Sequence, residues 1–193
     1  MENWQKGFLT ITWKKYVDLA FSLSQNIEKT NIQFNLIVAI ARGGLSLSRL
    51  LSEHLQLPIA SFTIQSYKNL QQISQPQVTY GLKGELINKK ILLTDDVSDT
   101  GKTFLRGISY LQELGVNKKN ITTCSMHFKP NSQFQPDYFV KKTSKWIIYP
   151  YEIRETIESL TKIWQKENIS PKEIKHRFSL LHFPKLQIDK YFK

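Results

Sequence analysis

One stretch of the sequence, Ile91 to Thr103, joins an apolar strand to a series of acidic and hydroxyl-bearing residues. Its apolar start, Ile91–Leu93, is short and bounded by polar residues, which is typical of a buried strand in a parallel sheet. Asp95 and Asp96 then lie at the carboxyl end of this strand, the end that faces the ligand crevice of an open α/β sheet. Two neighbouring carboxylates there require hydroxyl groups, cations or a metal ion to offset their repulsion.

The loop after the acidic pair has the composition of an anion site. It consists of Ser98, Asp99, Thr100, Gly101, Lys102 and Thr103. An amphipathic helix is predicted directly behind it, from about Phe104 to Leu114. Backbone amides, hydroxyls and a lysine at a helix N-terminus form a phosphate cradle. A Walker A loop would need a glycine five positions before Gly101, where this chain has Asp96, so that alternative fails.

These residues resemble the type I phosphoribosyltransferases. The resemblance implies an α/β fold with a parallel, Rossmann-like sheet flanked by helices, plus a small hood. It implies that Asp95 and Asp96 hold the ribose diol of phosphoribosyl pyrophosphate and a Mg²⁺ ion. It also implies that Ser98–Thr103 binds the 5′-phosphate, with Asp99 as the catalytic general base. The alternative is an ordinary charged turn after a strand.

A second strand-to-helix turn agrees with the first. An apolar segment from Phe34 runs into Ala41-Arg42-Gly43-Gly44, and helical spacing follows from Leu45 to Leu55. By resemblance this is the pyrophosphate loop, in which Arg42 and the amides of Gly43 and Gly44 face the diphosphate, across a cis peptide bond before Arg42. Related enzymes often carry serine where Ala41 stands. A glycine-rich turn with a solvated arginine is the alternative.

Two further segments concern the nucleobase that the predicted enzyme would bind. A strand predicted from Ile121 to His127 precedes Lys129, and Trp146 opens a segment that ends at Glu152. Both segments resemble the base-binding parts of the 6-oxopurine (xanthine-guanine and hypoxanthine-guanine) phosphoribosyltransferases. The resemblance implies that Lys129 donates to the purine 6-oxo group, Trp146 stacks on the ring, and the backbone of Ile147 reads its far edge. An ammonium group donates to a carbonyl but not to an amino group, which favours 6-oxopurines over adenine. Without the resemblance, a core tryptophan and a surface lysine are the commoner interpretation.

A polar, glutamine-rich segment lies between Ser66 and Gly84. By resemblance, about residues 67–84 form a mobile lid that excludes water from the reacting sugar. Tyr67 and Lys68 would then join the pyrophosphate contacts. The alternative is an exposed hairpin without function.

The predicted organisation is a phosphoribosyltransferase domain over residues 1–152 and a C-terminal helical extension over residues 153–193. Thr12 caps a first helix that reaches about Thr30. In the extension, one helix is predicted from Ile153 to about Lys166, and Ser170 and Glu173 form a capping box for another. The tail carries apolar residues that we expect to pack on the core or on a neighbouring subunit. They are Leu180, Leu181, Phe183, Leu186, Tyr191 and Phe192.

Composition limits the function classes. The chain has 193 residues, of which 40% are hydrophobic, enough for one full core with an appendage. It contains no apolar run of the about 18 to 20 residues that a membrane helix needs, and no secretory apolar segment at its start. We therefore expect a cytoplasmic protein without a membrane partner. Cys124 is the single cysteine and is predicted to be a buried structural thiol. The histidines show no zinc-ligand spacing.

The net charge is +11, which attracts polyanions. Because the lysines and arginines are spread along the chain and match no nucleic-acid motif, nucleic acid is not an expected partner. The predicted function is a Mg²⁺-dependent purine phosphoribosyltransferase of the salvage type, assembled as a homodimer or homotetramer. It would join guanine, hypoxanthine or xanthine to phosphoribosyl pyrophosphate. The alternatives are a non-enzymatic regulator that binds phosphoribosyl pyrophosphate and nucleic acid, and a phosphoribosyltransferase for another base.

Overall fold

The computed structural model describes the backbone of residues 3–68 and 71–193, and the side chains of residues 4–65 and 76–193. The chain forms two compact units. Unit 1 contains the residues up to Tyr16 together with Lys145–Lys193, and unit 2 contains Val17–Ser144. Within the described ranges, no helix combines the length and the apolar character needed to cross a membrane.

Strands and helices alternate along most of the chain. The strands are β1 (Phe8–Thr10), β2 (Leu36–Ala41), β3 (Ile59–Lys68), β4 (Gln71–Tyr80), β5 (Ile91–Ser98), β6 (Ile121–Phe128), β7 (Tyr138–Lys142) and β8 (Trp146–Ile148). The helices are α1 (Trp13–Glu28), α2 (Gly43–Leu55), α3 (Lys102–Glu113), α4 (Ile153–Lys166), α5 (Pro171–Leu180) and α6 (Lys185–Tyr191).

A six-stranded sheet in the order β4-β3-β2-β5-β6-β7 forms the centre of unit 2. Neighbouring strands are parallel from β3 to β7, and β4 pairs antiparallel with β3 at one edge. Residues 36–40 of β2 and 91–96 of β5 are all buried, which is the pattern of central strands in a parallel sheet covered on both faces. The predicted α/β fold with a mainly parallel sheet is therefore confirmed.

The predicted helix starts are confirmed where a side chain caps the helix. Thr12 Oγ1 accepts a hydrogen bond from Lys15 N at 3.2 Å, at the start of α1. Ser170 Oγ likewise accepts from Glu173 N at 3.2 Å, and Pro171 lies in the first turn of α5. Such caps act within a few residues of the chain, so they can be read from the sequence.

Three boundaries on the ligand side of the sheet differ from the prediction. Strand β5 continues past the acidic pair to Ser98, because its ladder with β6 continues through Val97 and Ser98. Helix α2 begins two residues earlier than predicted because Arg42 already has helical dihedrals, with φ −91° and ψ −32°. Helix α3 also begins two residues early, because Gly101, with φ 83°, completes the turn just before Lys102.

The segment predicted as a lid is strand, not loop, up to Tyr80 where the structure describes it. Strands β3 and β4 pair from Thr63 and Tyr80 outwards to Lys68 and Gln71. An antiparallel edge can face water with polar side chains, so a polar composition does not exclude strand there. The predicted lid movement of this hairpin stays a prediction.

Helices α4, α5 and α6 of unit 1 share an apolar core. Its buried residues include Ile157, Leu160, Trp164, Ile174, Phe178, Leu181, Phe183 and Ile188. Leu181 and Phe183 therefore pack on this core as predicted, whereas Leu186 does not, because its side chain is 84% exposed. The predicted alternative for Leu186, packing on a neighbouring subunit, stays a prediction. Ile188 is the buried residue of α6, and a residue two positions away falls on another face of a helix.

The N-terminal residues of unit 1 pack with its C-terminal helices. Strand β1 pairs in parallel with β8. The Arg177 guanidinium lies 5.0 Å from the ring centre of Trp4 and 5.3 Å from that of Trp164. Its Nε also donates to Glu173 Oε1 at 3.0 Å. This cation–π contact links the first described residues to α4 and α5.

We predict that Phe178→Ala lowers the free energy of unfolding by about 3–5 kcal/mol, because it leaves a cavity in a packed core. The Phe178 ring is fully buried and contacts Trp164 and Phe183 at centroid distances of 5.3 and 5.5 Å. Urea unfolding followed by tryptophan fluorescence measures the change. Leu186→Ala is the control, expected to change stability by less than about 0.5 kcal/mol. Equal effects of the two changes would contradict this packing.

Candidate active site

The parallel sheet of unit 2 brings together three segments that are far apart in the sequence. They meet at the carboxyl edge of the sheet, where the parallel strands end. Strands β2, β5 and β6 lie side by side and run in the same direction, so their carboxyl ends meet there. Arg42 follows β2, Asp99 follows β5 and Lys129 follows β6. Lys129 N donates to the carbonyl oxygen of Ser98 at 3.0 Å, which joins the second segment to the third. Predicted ligands of the sugar diphosphate and of the base thus share one edge of the sheet.

The acidic pair is almost completely buried within this edge. Asp95 is 8% exposed and Asp96 6%. Asp95 Oδ1 accepts a hydrogen bond from Asp96 N at 3.0 Å, which fixes one carboxylate against the backbone of β5. Burial penalises the charged form of a carboxyl group, so hydrogen bonds, cations or dipoles must offset the cost. The arrangement is suited to polyhydroxyl and cationic ligands.

Gly43, the first residue of α2, allows the helix to approach the acidic pair. A Cβ atom at position 43 would lie 2.7 Å from Asp96 Oδ2 and 2.8 Å from its Oδ1, closer than real Cβ contacts allow. A Cβ atom at position 44 would likewise come too close to backbone atoms of Thr94 and Asp95. The two glycines therefore let the start of α2 lie directly against the carboxyl end of β5.

Two helix N-termini follow the adjacent strands β2 and β5. Helix α2 has Arg42 and α3 has Gly101 as N-cap residue, and neither cap makes a side-chain hydrogen bond to its helix. The first amides of such helices carry partial positive charge and bind anions. The peptide bond between Ala41 and Arg42 is cis, as the resemblance led us to expect. Both predicted anion loops thus lead into the N-terminus of a helix.

The loop between β5 and α3 is braced by a segment that the sequence did not indicate. Ser98 Oγ donates to the Phe134 carbonyl at 2.7 Å and lies 2.9 Å from Ser132 Oγ. Gln133 N donates to the Thr100 carbonyl at 3.1 Å. The Ser98 hydroxyl, predicted to bind phosphate, is therefore engaged in shaping this loop. No local pattern identifies residues 132–134, because their role depends on the fold.

Lys129 and Asp99 interact electrostatically. Partial burial lowers the pKa of the Lys129 ammonium, and the negative charge of Asp99 partly counteracts that effect. The residue predicted to read the purine oxygen therefore lies within electrostatic range of the predicted general base. Asp99 itself is exposed to solvent. A partly desolvated cation beside an accessible carboxylate is suited to binding a polar heterocycle.

The other residues predicted to contact the substrate lie either in unit 1 or outside the described side chains. Trp146 and Ile147 belong to β8 in unit 1, where Trp146 is 44% exposed and its ring centre lies 6.2 Å from that of Phe8. The side chains of Tyr67 and Lys68 lie outside the described residues. The predicted stacking, edge-reading and lid contacts of these four residues stay predictions.

The family model for the phosphoribosyl transferase domain matches residues 12–156. The chain belongs to this family. The matched range includes both predicted anion loops, the acidic pair and the predicted base segments.

Known proteins similar to this phosphoribosyltransferase domain differ in their described functions. The purine phosphoribosyltransferase from Pyrococcus horikoshii Ot3 is 32% identical, with a TM-score of 0.67 over 75% of this chain and 94% of that one. Transcriptional regulator GfcR 1 of Methanosarcina barkeri is 24% identical over 121 residues, 62% of this chain. Xanthine-guanine phosphoribosyltransferase of Idiomarina loihiensis is 27% identical over 124 residues, 63% of this chain and 73% of that protein. The match spans only 59% of the regulator's length.

Two buried side chains of the phosphoribosyltransferase domain have strongly shifted pKa values. Burial raises the pKa of Cys124 to about 12, so the thiol stays protonated, as expected of a structural cysteine. Burial lowers the pKa of His127 to about 4, assisted by the charges of Lys141 and Lys129. His127 on β6 is therefore a neutral imidazole near pH 7.

We predict that His127 makes the folded phosphoribosyltransferase domain acid-sensitive. In the unfolded chain a histidine binds a proton near pH 6.5, whereas in the folded chain His127 binds one only near pH 4. The unfolded state thus binds more protons between these values, and stability falls as the pH decreases through that range. His127→Gln should remove about 3 kcal/mol of the stability difference between pH 7 and pH 4.

Urea unfolding at both pH values tests this expectation. His176→Gln is the matched control, because His176 is exposed on α5 and should leave the difference unchanged. The same pH dependence in wild type and His127→Gln would contradict the assignment.

Proposed function

We propose that this chain is a purine phosphoribosyltransferase that transfers the 5-phosphoribosyl group from phosphoribosyl pyrophosphate to a 6-oxopurine. The products are a nucleoside monophosphate and pyrophosphate. The proposal rests chiefly on the buried pair Asp95 and Asp96, which lies against the start of α2 and in the strand that leads into α3. The 32% identity to a purine phosphoribosyltransferase and the 27% identity to a xanthine-guanine enzyme support the purine class.

The proposed sugar site uses the two helix N-termini as separate anion cradles. The amides of Gly43 and Gly44, with Arg42, would bind the diphosphate at the start of α2. The start of α3 would bind the 5′-phosphate through Thr100, Gly101, Lys102 and Thr103. A ribose between these anionic ends would present its diol to the acidic pair, whose carboxylates accept hydrogen bonds from hydroxyl groups. This assignment gives each charged part of the substrate an oppositely charged or dipolar partner.

A Mg²⁺ ion fits the acidic pair. Mg²⁺ is usually held by one or two carboxylates together with substrate oxygens and water. Among the side chains of residues 4–65 and 76–193 there is no cluster of three or more acidic, histidine or cysteine residues that could hold a metal ion. In the proposed site the ion would be shared between Asp95, Asp96 and the substrate. When bound, it would offset negative charge on the leaving diphosphate.

The proposed base site uses Lys129 to donate to the 6-oxo group. Trp146 would stack on the purine and the backbone of Ile147 would read its far edge. In the transfer, the bond from ribose C1 to the diphosphate oxygen breaks, and a bond forms from C1 to a purine ring nitrogen. Asp99 would accept the proton from that nitrogen as general base. The β3–β4 hairpin, with Tyr67 and Lys68, would exclude water from the reacting carbon.

A panel of guanine, hypoxanthine, xanthine, adenine and orotate, with pyrophosphate release as the readout, tests the proposal. We expect turnover with at least one 6-oxopurine and little with adenine or orotate. Lys129→Ala should lower kcat/KM for that 6-oxopurine by about 10- to 100-fold, because one charge-assisted hydrogen bond is lost. Lys141→Ala is the control, because Lys141 is exposed on β7.

Each outcome of the panel has a defined meaning. Release of pyrophosphate with none of the bases contradicts the proposed enzyme. Turnover of orotate alone contradicts the purine class. An equal loss for adenine and 6-oxopurines in Lys129→Ala would show that Lys129 does not read the base.

A second prediction concerns the close approach of α2 to the acidic pair. Gly43→Ala would push a methyl group against the Asp96 carboxylate. We expect kcat/KM for phosphoribosyl pyrophosphate to fall by about 10- to 100-fold, since small displacements of binding groups have effects of this size. Because alanine favours helix more than glycine does, helix loss would not be the cause. Gly7→Ala is the matched control, because a Cβ at position 7 meets no atom within 4 Å. An unchanged kcat/KM in Gly43→Ala would contradict the site.

The second candidate function is a non-enzymatic regulator that binds phosphoribosyl pyrophosphate and nucleic acid. Two observations favour it, namely the similarity to a transcriptional regulator and the net charge of +11. Binding of duplex DNA whose affinity falls steeply with salt, without pyrophosphate release, would support this function over the enzyme.

A further inference from the structure

A cavity of about 500 Å³ lies in unit 1, between the start of α4 and one side of α6. This volume is within the range of small-molecule sites, roughly 300–1,000 Å³. Helix α6 lies beyond residues 12–156, the range that the family model matches. The cavity is therefore built partly from a segment that is not part of the matched domain.

The lining of this cavity combines cations with aromatic and aliphatic surface. Arg154 and Lys190 line it, and their charged groups lie 5.2 and 5.4 Å from the ring centre of Tyr191, which also lines it. No acidic residue is among its lining residues in the described part of the chain. The cavity thus has a net positive lining beside the Tyr191 ring, and this combination attracts an anion attached to a ring.

Two further features favour a planar ligand. The ring of Tyr151, another lining residue, stacks on Tyr149 with an interplanar angle of 9° and a centroid distance of 5.4 Å. Such stacking fixes the orientation of the ring, so it can serve as a rigid contact surface. Leu186 at the cavity is 84% exposed and adds apolar surface there. A ligand in the cavity would cover part of that surface.

From these observations we propose that the cavity is a second binding site, for a nucleoside monophosphate. The phosphate is held by Arg154 and Lys190, and the base packs against the tyrosine and leucine side chains. The Arg154 Nε is already bonded to Glu158 at 2.8 Å, and the other guanidinium N–H groups are the donors assigned to the phosphate. This site is separate from the acidic pair of unit 2, so the proposal does not rest on the proposed enzyme activity.

Photolabelling with 8-azidoguanosine monophosphate tests the proposal on the full chain, because mass spectrometry identifies which segment is labelled. We expect label in residues 150–154 or 186–191, apart from any label near residues 95–103. Arg154→Gln with Lys190→Gln should reduce the first label by about tenfold or more, since each charge-assisted contact contributes about that factor. Lys162→Gln with Lys166→Gln is the control. It makes the same change in charge on α4 at exposed residues outside the cavity lining.

A second variant tests the same site with a change that is not expected to disturb folding. Leu186→Glu changes an exposed residue and adds a negative charge at the cavity, and it should also reduce the label there. Guanosine monophosphate should protect the site better than guanosine or inorganic phosphate alone. Full protection by phosphate alone would overturn the nucleotide assignment. Absence of label in these segments, or label that persists in both variants, would overturn the site. If only the proposed active site were wrong, residues 95–103 would carry no label, and the label in residues 150–154 or 186–191 would remain.

Discussion

The burial of two adjacent carboxylates at the carboxyl edge of the sheet constrains the rest of unit 2. Asp95 and Asp96 are nearly excluded from solvent, and buried charge is costly unless nearby groups compensate it. The start of α2 lies against Asp96 only because residue 43 is glycine. The positive end of a helix dipole is a suitable neighbour for a carboxylate. The strand order, the glycine loop and the position of α2 therefore together place the positive end of a helix dipole beside the two buried carboxylates.

The loops at this edge are held by the fold and not by their own composition. The carbonyl of Ser98 accepts from Lys129 N, and its hydroxyl donates to the Phe134 carbonyl. The Phe134 ring stacks on Phe104 of α3 at a centroid distance of 5.4 Å. The loop between β5 and α3 is thus fixed from both its strand and its helix. Preorganisation of this kind reduces the entropic cost of ordering a binding loop when a ligand arrives.

Features that depend on short-range chemistry could be predicted from the sequence. The apolar runs of β2, β5 and β6 indicated a parallel sheet, and Thr12 and Ser170 indicated helix starts. The acidic pair and the glycine-rich turns indicated where β5 and β2 lead into helices α3 and α2. In each case the signal and the structure lie within a few residues of each other.

Features that depend on long-range contacts could not be predicted. The pairing of β1 with β8, the contact of Arg177 with Trp4 and Trp164, and the brace at residues 132–134 join segments far apart in the sequence. The lid segment was predicted as loop because its polar composition hides an edge strand. Hydrophobicity alone also does not determine which face of a short helix is buried, so the sequence did not show that Ile188 and not Leu186 packs on the core of this chain.

A crystal structure with phosphoribosyl pyrophosphate and Mg²⁺ tests the central claim most directly. The account predicts the 5′-phosphate at the N-terminus of α3, the ribose diol on Asp95 and Asp96, and the diphosphate at Arg42 and the start of α2. Electron density for the sugar diphosphate elsewhere, with the acidic pair making no contact to it, would contradict the account.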